Sequence, residues 1–293
     1  MKELSLKAYA KVNLALDVLG EREDGYHDVK MIMQNIGIYD ELKFVYDEEQ
    51  IDDTDGYRIN ITTDSDKIPT DEKNLVYKAI KYMFEQYSIH GCMSVKLKKD
   101  IPVEAGMAGG STDCAASIKA VNELCGLGLT LQEMMDIGVK LGADVPYCIL
   151  AKTALSEGIG EVLNEVSPLP DCHILVAKPP INVSTGMVYN SLRCDEIPSH
   201  PDVDGMIEAL SYNDLQGVAD KMENVLETVT VRLYPEIENI KNVMISMGAL
   251  NSIMSGSGPT VFGLYSDEDE AKAAKAYIVK KGYANEVYVT KPV

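Results

Sequence analysis

The chain has 293 residues, enough for two domains or one large one, and 46% of them are hydrophobic, which supports a packed core. Its net charge is −19, from 46 acidic and 27 basic residues. That balance argues against a nucleic-acid partner, because phosphate backbones are bound by clustered Lys and Arg. It leaves ATP open, since a nucleotide needs only a few local donors and a metal.

The six cysteines (Cys92, Cys114, Cys125, Cys148, Cys172, Cys194) form no C-x-x-C pair, and several lie in apolar runs. Reduced, buried thiols in a cytoplasmic protein are expected. His27, His90, His173 and His200 lack metal-ligand spacing. No apolar run reaches membrane-spanning length, and no basic-plus-apolar leader opens the chain. The expectation is a protein with neither nucleic-acid nor membrane partners, a monomer or homodimer.

In chain order, residues 4–19 read as one or two strands. Lys11 and Asn13 share one face there, which fits either a solvated edge strand or a functional pair. A loop over 21–27 carries the turn signal Asp24-Gly25. Residues 31–39 and 41–46 read as strands, and the acidic stretch 47–56 as a surface hairpin or loop. The spacing of Leu75, Ile80, Met83 and Phe84 predicts a helix over 74–87.

A strand over 93–97 leads into a loop with Gly106, Gly109 and Gly110, and a helix is expected from near Ser111. Glycines let the backbone approach a ligand, and a helix start adds unpaired N–H donors with partial positive charge. Together they suit a phosphate chain. The Ser111 and Thr112 hydroxyls are placed to cap the helix, touch a phosphate or hold magnesium. A plain strand–loop–helix connection with small residues fits the same stretch. The spacings match neither the common P-loop nor the dinucleotide fingerprint.

Cys114, Ile118, Val121 and Cys125 form a core-facing stripe, and Thr130 caps a helix over 131–141. Asp144 follows, before a β-like run, as a turn or cap aspartate or as a functional carboxylate. A turn at 157–161 joins short strands, and the domain change is placed there, giving domains 1–158 and 159–293. The second half reads as a strand over 173–178, a helix from 184–189, and helices over 201–218 and 221–233. A helix opened by Pro235, a strand–glycine turn–strand over 252–264, a helix over 267–281 and a strand over 286–290 complete it. The alternation indicates an α+β architecture.

Three pieces resemble the motifs of the GHMP small-molecule kinases: Ala10-Lys11-Val12-Asn13-Leu14, the loop over 102–116, and Gly256-Ser257-Gly258-Pro259-Thr260. Asp24-Gly25-Tyr26-His27-Asp28, Gly142-Ala143-Asp144-Val145-Pro146 and Glu157-Gly158-Ile159-Gly160-Glu161 resemble one branch of it, whose acceptor carries cytidine diphosphate. The resemblance implies an N-terminal mixed α/β nucleotide domain (ribosomal protein S5 domain 2-like), a ferredoxin-like C-terminal domain, and a substrate in the cleft between them. It implies transfer of the ATP γ-phosphoryl, with Mg2+, to the 2-hydroxyl of a methylerythritol unit on the methylerythritol phosphate route to isoprenoids.

It also implies roles. Asp144 matches the catalytic aspartate, also in the substrate pocket, and Lys11 the lysine beside it. Pro102, Gly106, Met107, Ala108, Gly109, Gly110, Ser111 and Thr112 match the ATP phosphate cradle, with Ser111 a candidate Mg2+ ligand. Asn74 and Lys99 match positions near adenine. Tyr26 and His27 match the residues that hold cytosine. Asn13, Thr185 and Tyr189 match other substrate positions, and Gly256, Ser257 and Gly258 a turn near phosphate and substrate. Two features depart from the pattern. Ala108 stands where many members have glycine, a methyl that is tolerated except at positive φ. Lys30-Met31 replaces a common Gln-Thr. The rivals are a GHMP kinase for homoserine or phosphomevalonate, a non-catalytic sensor on this fold, and an α+β binding domain with purely structural glycines.

Overall fold

The computed structural model describes residues 1–50 and 56–293, so 51–55 of the loop expected over 47–56 lie outside the described residues. The chain opens with two long strands, β1 (Lys2–Glu21) and β2 (His27–Asp47), where shorter ones were expected. Gly37 of β2 lies against residues 290–291. Its N–H donates to the Lys291 carbonyl at 2.9 Å, and an added Cβ would lie 2.8 Å from Thr290 Oγ1.

Next come β3 (Tyr57–Thr63), α1 (Leu75–Gln86), β4 (Gly91–Lys98), α2 (Gly109–Leu124), α3 (Leu131–Val139), α4 (Val145–Leu150), β5 (Ala154–Glu157) and β6 (Val162–Glu165). The chain continues through β7 (His173–Lys178), α5 (Thr185–Ser191), α6 (Val203–Ser211), α7 (Leu215–Asp220), β8 (Glu223–Asn224) and α8 (Glu227–Leu233). It ends with α9 (Glu236–Ser246), β9 (Asn251–Met254), β10 (Val261–Tyr265), α10 (Glu268–Lys281) and β11 (Glu286–Thr290). Local chemistry sets several ends. Thr130 and Glu133 close a capping box on α3, Asp267 caps α10, and Gly282 at φ +69° stops it.

Two units interleave along the chain. The first comprises residues 1–10, 39–103 and 108–151. There β4 runs antiparallel to the end of β2, from Glu41 opposite Lys98 to Asp47 opposite Cys92, and β3 joins β4 in parallel. Helix α2 packs with α1, α3 and α4, and Phe44, Ile80, Phe84, Ile118 and Tyr147 are buried.

The second comprises residues 11–38, 104–107 and 152–293. Its four-stranded antiparallel sheet has the order β11-β7-β10-β9, with α9 and α10 packed on it. The strands enter the sheet in the chain order β7, β9, β10, β11, with α9 after the first and α10 after the third. This is the ferredoxin-like split βαβ arrangement, with α5 to α8 inserted before α9. In the same unit β5 pairs with Met31–Met33 of β2, and β8 lies parallel to β1 at Ala15 and Leu16.

Some local expectations change. Residues 145–150 are helical where a β-like run was expected, with Pro146 tolerated in the first turn. Residues 221–233 are not one helix, because Glu223 and Asn224 pair with β1. Strand β3 was not foreseen, since Arg58, Asn60 and Thr62 dilute its apolar signal.

Candidate active site

In the first unit, α2 starts at Gly109, two residues earlier than expected. Its first backward hydrogen bond runs from Thr112 N–H to Ala108 C=O at 2.9 Å. The N–H groups of Gly109, Gly110 and Ser111 therefore precede the helical ladder, and no side chain caps them. This leaves a positive end on a helix of 16 residues, the donor set a phosphate chain needs. Ser111 is half-buried and Thr112 buried. Ala108 sits at φ +57°, so the residue that replaces glycine occupies the conformation that glycine favours.

The side chains of Asn74 and Lys99 both have partners within the first unit. Asn74 Oδ1 accepts from Val76 N–H at 2.9 Å, and its amide donates to the Pro69 carbonyl at 2.6 Å, so it caps α1. The Lys99 ammonium is buried between the carboxylates of Asp40 and Asp113. Asp144 occupies the N-cap position of α4, but its carboxylate does not cap the helix. That removes the side-chain cap reading of Asp144.

In the second unit, Lys11 and Asn13 lie on one face of β1, 4% and 0% exposed. Lys11 Nζ donates to Asn13 Oδ1 at 2.8 Å, and Asn13 Nδ2 donates to the Met31 sulfur at 3.3 Å. The solvated edge-strand reading is thus excluded. Met31 of the departing pair serves Asn13, while Lys30 pairs with Asp204 at 2.7 Å.

The Lys11 N–H donates to the Met107 carbonyl at 3.2 Å, which draws the loop segment 104–107 onto β1. Gly106, at φ +68°, has no room for a side chain, since a Cβ would lie 2.4 Å from the Ser255 carbonyl oxygen. Ser255 Oγ donates to the Gly106 carbonyl at 3.0 Å. The glycine turn of residues 255–259 therefore lies against the loop.

Thr185 and Tyr189 stand one turn apart on α5 and share a face. Thr185 Oγ1 and Ser257 Oγ are 2.8 Å apart. The Tyr189 ring lies 5.2 Å from the His27 ring, centroid to centroid, tilted by 51°. His27 is 8% exposed and Tyr26 57%, so the two neighbours meet different surroundings. A cavity of about 420 Å³ is lined by Glu104, Gly106, Asn182, Ser184, Thr185 and Gly258.

Three residues outside the sequence-predicted set hold the glycine turn. Asn224 donates to the Met254 and Gly256 carbonyls, both at 2.8 Å. Thr230 donates to the Ser257 carbonyl at 3.3 Å, and Glu227 accepts from Met254 N–H at 2.6 Å. Their only signal in the sequence is polarity within apolar runs, which does not reveal a distant partner. Among the described residues no group of three His, Cys, Asp or Glu side chains is arranged to hold a metal ion, and no helix is long and apolar enough to cross a membrane.

The family described as the GHMP kinases N terminal domain matches residues 74–152, and the GHMP kinases C terminal family matches 206–285. The chain belongs to the GHMP kinases, and it is a small-molecule kinase that uses ATP as phosphate donor. A 4-diphosphocytidyl-2-C-methyl-D-erythritol kinase of Lachnospira eligens is 49% identical over 99% of this chain and 98% of its own. One of Acetivibrio thermocellus is 44% identical over the full length of both. A crystal structure of 4-(cytidine 5'-diphospho)-2C-methyl-D-erythritol kinase superposes with a TM-score of 0.82 at 29% identity, covering 99% of each chain. Homoserine kinase from Cytophaga hutchinsonii, at 21% identity and a TM-score of 0.77 over 99% of this chain and 95% of that one, shares the fold. Within the GHMP kinases, the chain belongs to the 4-diphosphocytidyl-2-C-methyl-D-erythritol kinase family.

Proposed function

We propose that this kinase transfers the γ-phosphoryl group of ATP to the 2-hydroxyl of 4-diphosphocytidyl-2-C-methyl-D-erythritol, a step of the methylerythritol phosphate route to isoprenoid precursors. The observation that carries the acceptor assignment is the His27–Tyr189 ring pair, in the same unit as the Lys11–Asn13 pair. An aromatic ring beside a buried imidazole suits a pyrimidine, which stacks on one and hydrogen-bonds to the other. Homoserine and phosphomevalonate have no ring to place there.

The roles follow from position. The N–H groups of Gly109, Gly110 and Ser111 take the β- and γ-phosphates, with Pro102, Gly106, Met107, Ala108 and Thr112 shaping the cradle. Asn74 and Lys99 serve the ATP site through the backbone that their side chains hold. Asp144 accepts the proton of the acceptor hydroxyl, and Lys11 orients that hydroxyl and offsets its charge. Asn13, Thr185, Gly256, Ser257 and Gly258 position the acceptor, and Tyr26 lies at the outer edge of the cytosine site.

The donor set fits a magnesium ion held mainly by ATP. No protein cage of three carboxylates or histidines exists among the described residues, and Mg2+ commonly takes one or two protein ligands besides phosphate oxygens and water. Ser111 is the protein ligand we assign. A magnesium ion held there would supply neutralisation of charge on the transferred phosphoryl group. Phosphoryl transfer passes through a loose transition state, so positioning and charge stabilisation dominate. A carboxylate that receives the proton late then suffices as base.

Among the described residues no disulfide joins the six cysteines, in keeping with the reducing, cytoplasmic location expected from the sequence. A functional division at 158/159 leaves the two family matches on opposite sides. Isothermal titration tests the acceptor assignment. Cytidine diphosphate should bind the wild type, and Tyr189→Ala should weaken that binding. Equal binding of uridine and cytidine diphosphates would contradict selective pyrimidine recognition.

A further inference from the structure

Lys99 lies two residues before Ile101, where the glycine loop begins. Its ammonium donates to Asp40 on β2 and to Asp113 Oδ2 on α2, the latter at 2.8 Å. The three side chains are 5%, 0% and 5% exposed. Asp40 Oδ1 accepts two N–H bonds, from Asp100 at 2.7 Å and Ile101 at 2.8 Å. Lys99 N–H donates to Asp64 Oδ1 at 3.0 Å.

These bonds form one path. Asp40 fixes the residues that enter the loop, and Lys99 links Asp40 to Asp113, four residues after Gly109, where the chain leaves it. A Cβ on Gly109 would lie 3.4 Å from Lys99 Nζ, so the ammonium sits beside the helix start. Buried charges tolerate poor geometry badly, because little solvent is present to replace a lost partner. A change in spacing would therefore cost these charges partners that solvent does not replace. Burial disfavours the Lys99 ammonium, but Asp113 and Asp40 outweigh it and raise its pKa, so the lysine stays charged. Burial raises the Asp113 pKa, against the pull of Lys99.

We propose that Asp40, Lys99 and Asp113 form a buried clamp that fixes the distance between the entry and the exit of the phosphate loop, and so act as positioning residues for ATP. The proposal rests on the reading that this loop holds the ATP phosphates. A loose clamp would move the α2 N–H donors relative to the β- and γ-phosphates. A displacement of about 1 Å in such a group can cost about 100-fold in rate.

The test is steady-state kinetics on folded full-length variants. Asp113→Asn keeps the shape and removes the negative charge, and Lys99→Arg keeps the charge and changes the spacing. Both should raise the KM for ATP about tenfold or lower kcat/KM for ATP by up to about 100-fold, with the KM of the acceptor unchanged. Asp113→Leu should do more, and if it fails to fold, the two conservative variants still decide. A fall in melting temperature with wild-type ATP kinetics in both would overturn the clamp and leave a purely structural network. Gly110→Glu separates the underlying reading, because a carboxylate at the helix start should repel ATP. If Gly110→Glu binds ATP as the wild type does, the loop assignment fails and the proposal with it. If it loses ATP while Asp113→Asn and Lys99→Arg keep wild-type kinetics, only the clamp fails.

Discussion

Thr185 Oγ1 and Ser257 Oγ share a hydrogen bond of 2.8 Å that ties α5 to the glycine turn after β9. Tyr189 follows one turn later on α5 and meets His27. The bond thus sets the height of Tyr189 relative to the turn. Thr185→Val keeps the shape and loses the bond. A net hydrogen bond is worth about 1 kcal/mol, so kcat/KM for the acceptor should fall about fivefold to tenfold, with the KM for ATP unchanged. Kinetics with each substrate varied in turn would show it.

Tyr26 and Tyr189 divide the aromatic role unequally. Tyr26 is largely exposed and lies outside β2, whereas Tyr189 faces the buried His27. Stacking on a base is worth about 1–3 kcal/mol, so Tyr189→Ala should raise the KM of a cytidine-bearing acceptor about 10- to 100-fold. Tyr26→Ala should cost less. The opposite order would move the cytosine to the outer position.

Asp144→Ala should lower kcat by about 10²–10⁴ with little change in ATP affinity, the range for loss of a proton acceptor. Lys11→Met should also lower kcat strongly, about 100-fold, by removing a preorganised charge. Single-turnover rates at saturating ATP measure both. Near wild-type turnover in Asp144→Ala would remove it as base.

Ala108 holds a left-handed conformation at φ +57°. That conformation costs an alanine about 1 kcal/mol, partly offset by the greater freedom of glycine in the unfolded chain. Ala108→Gly should therefore raise the melting temperature by about 2 °C, with the KM for ATP unchanged. Calorimetry checks the first and kinetics the second. A lower melting temperature would mean that the methyl contributes packing.

Much of the site was legible because it is local. The glycine loop, the helix start after it and the turn at 255–259 announce themselves by residue type, and the long helices by periodicity. Lys11 and Asn13 were visible as two polar residues in an apolar strand, although their burial was not. What stayed hidden depends on distant partners. Lys99 matched a position near adenine, but nothing local showed its ion pairs with Asp40 and Asp113, 59 and 14 residues away. Asn224 reads as a helix residue until its amide meets the carbonyls of Met254 and Gly256. Ala108 reads as a mild substitution because its φ is set by the loop closure, which composition does not encode.

The most direct test of the central claim is an acceptor panel with ATP and magnesium, product formation being followed by phosphorus NMR. The acceptors are 4-diphosphocytidyl-2-C-methyl-D-erythritol, 2-C-methyl-D-erythritol 4-phosphate, homoserine and phosphomevalonate. The account predicts phosphorylation of the cytidine-bearing compound alone, at its 2-hydroxyl. Efficient phosphorylation only of an acceptor that lacks cytidine would contradict it.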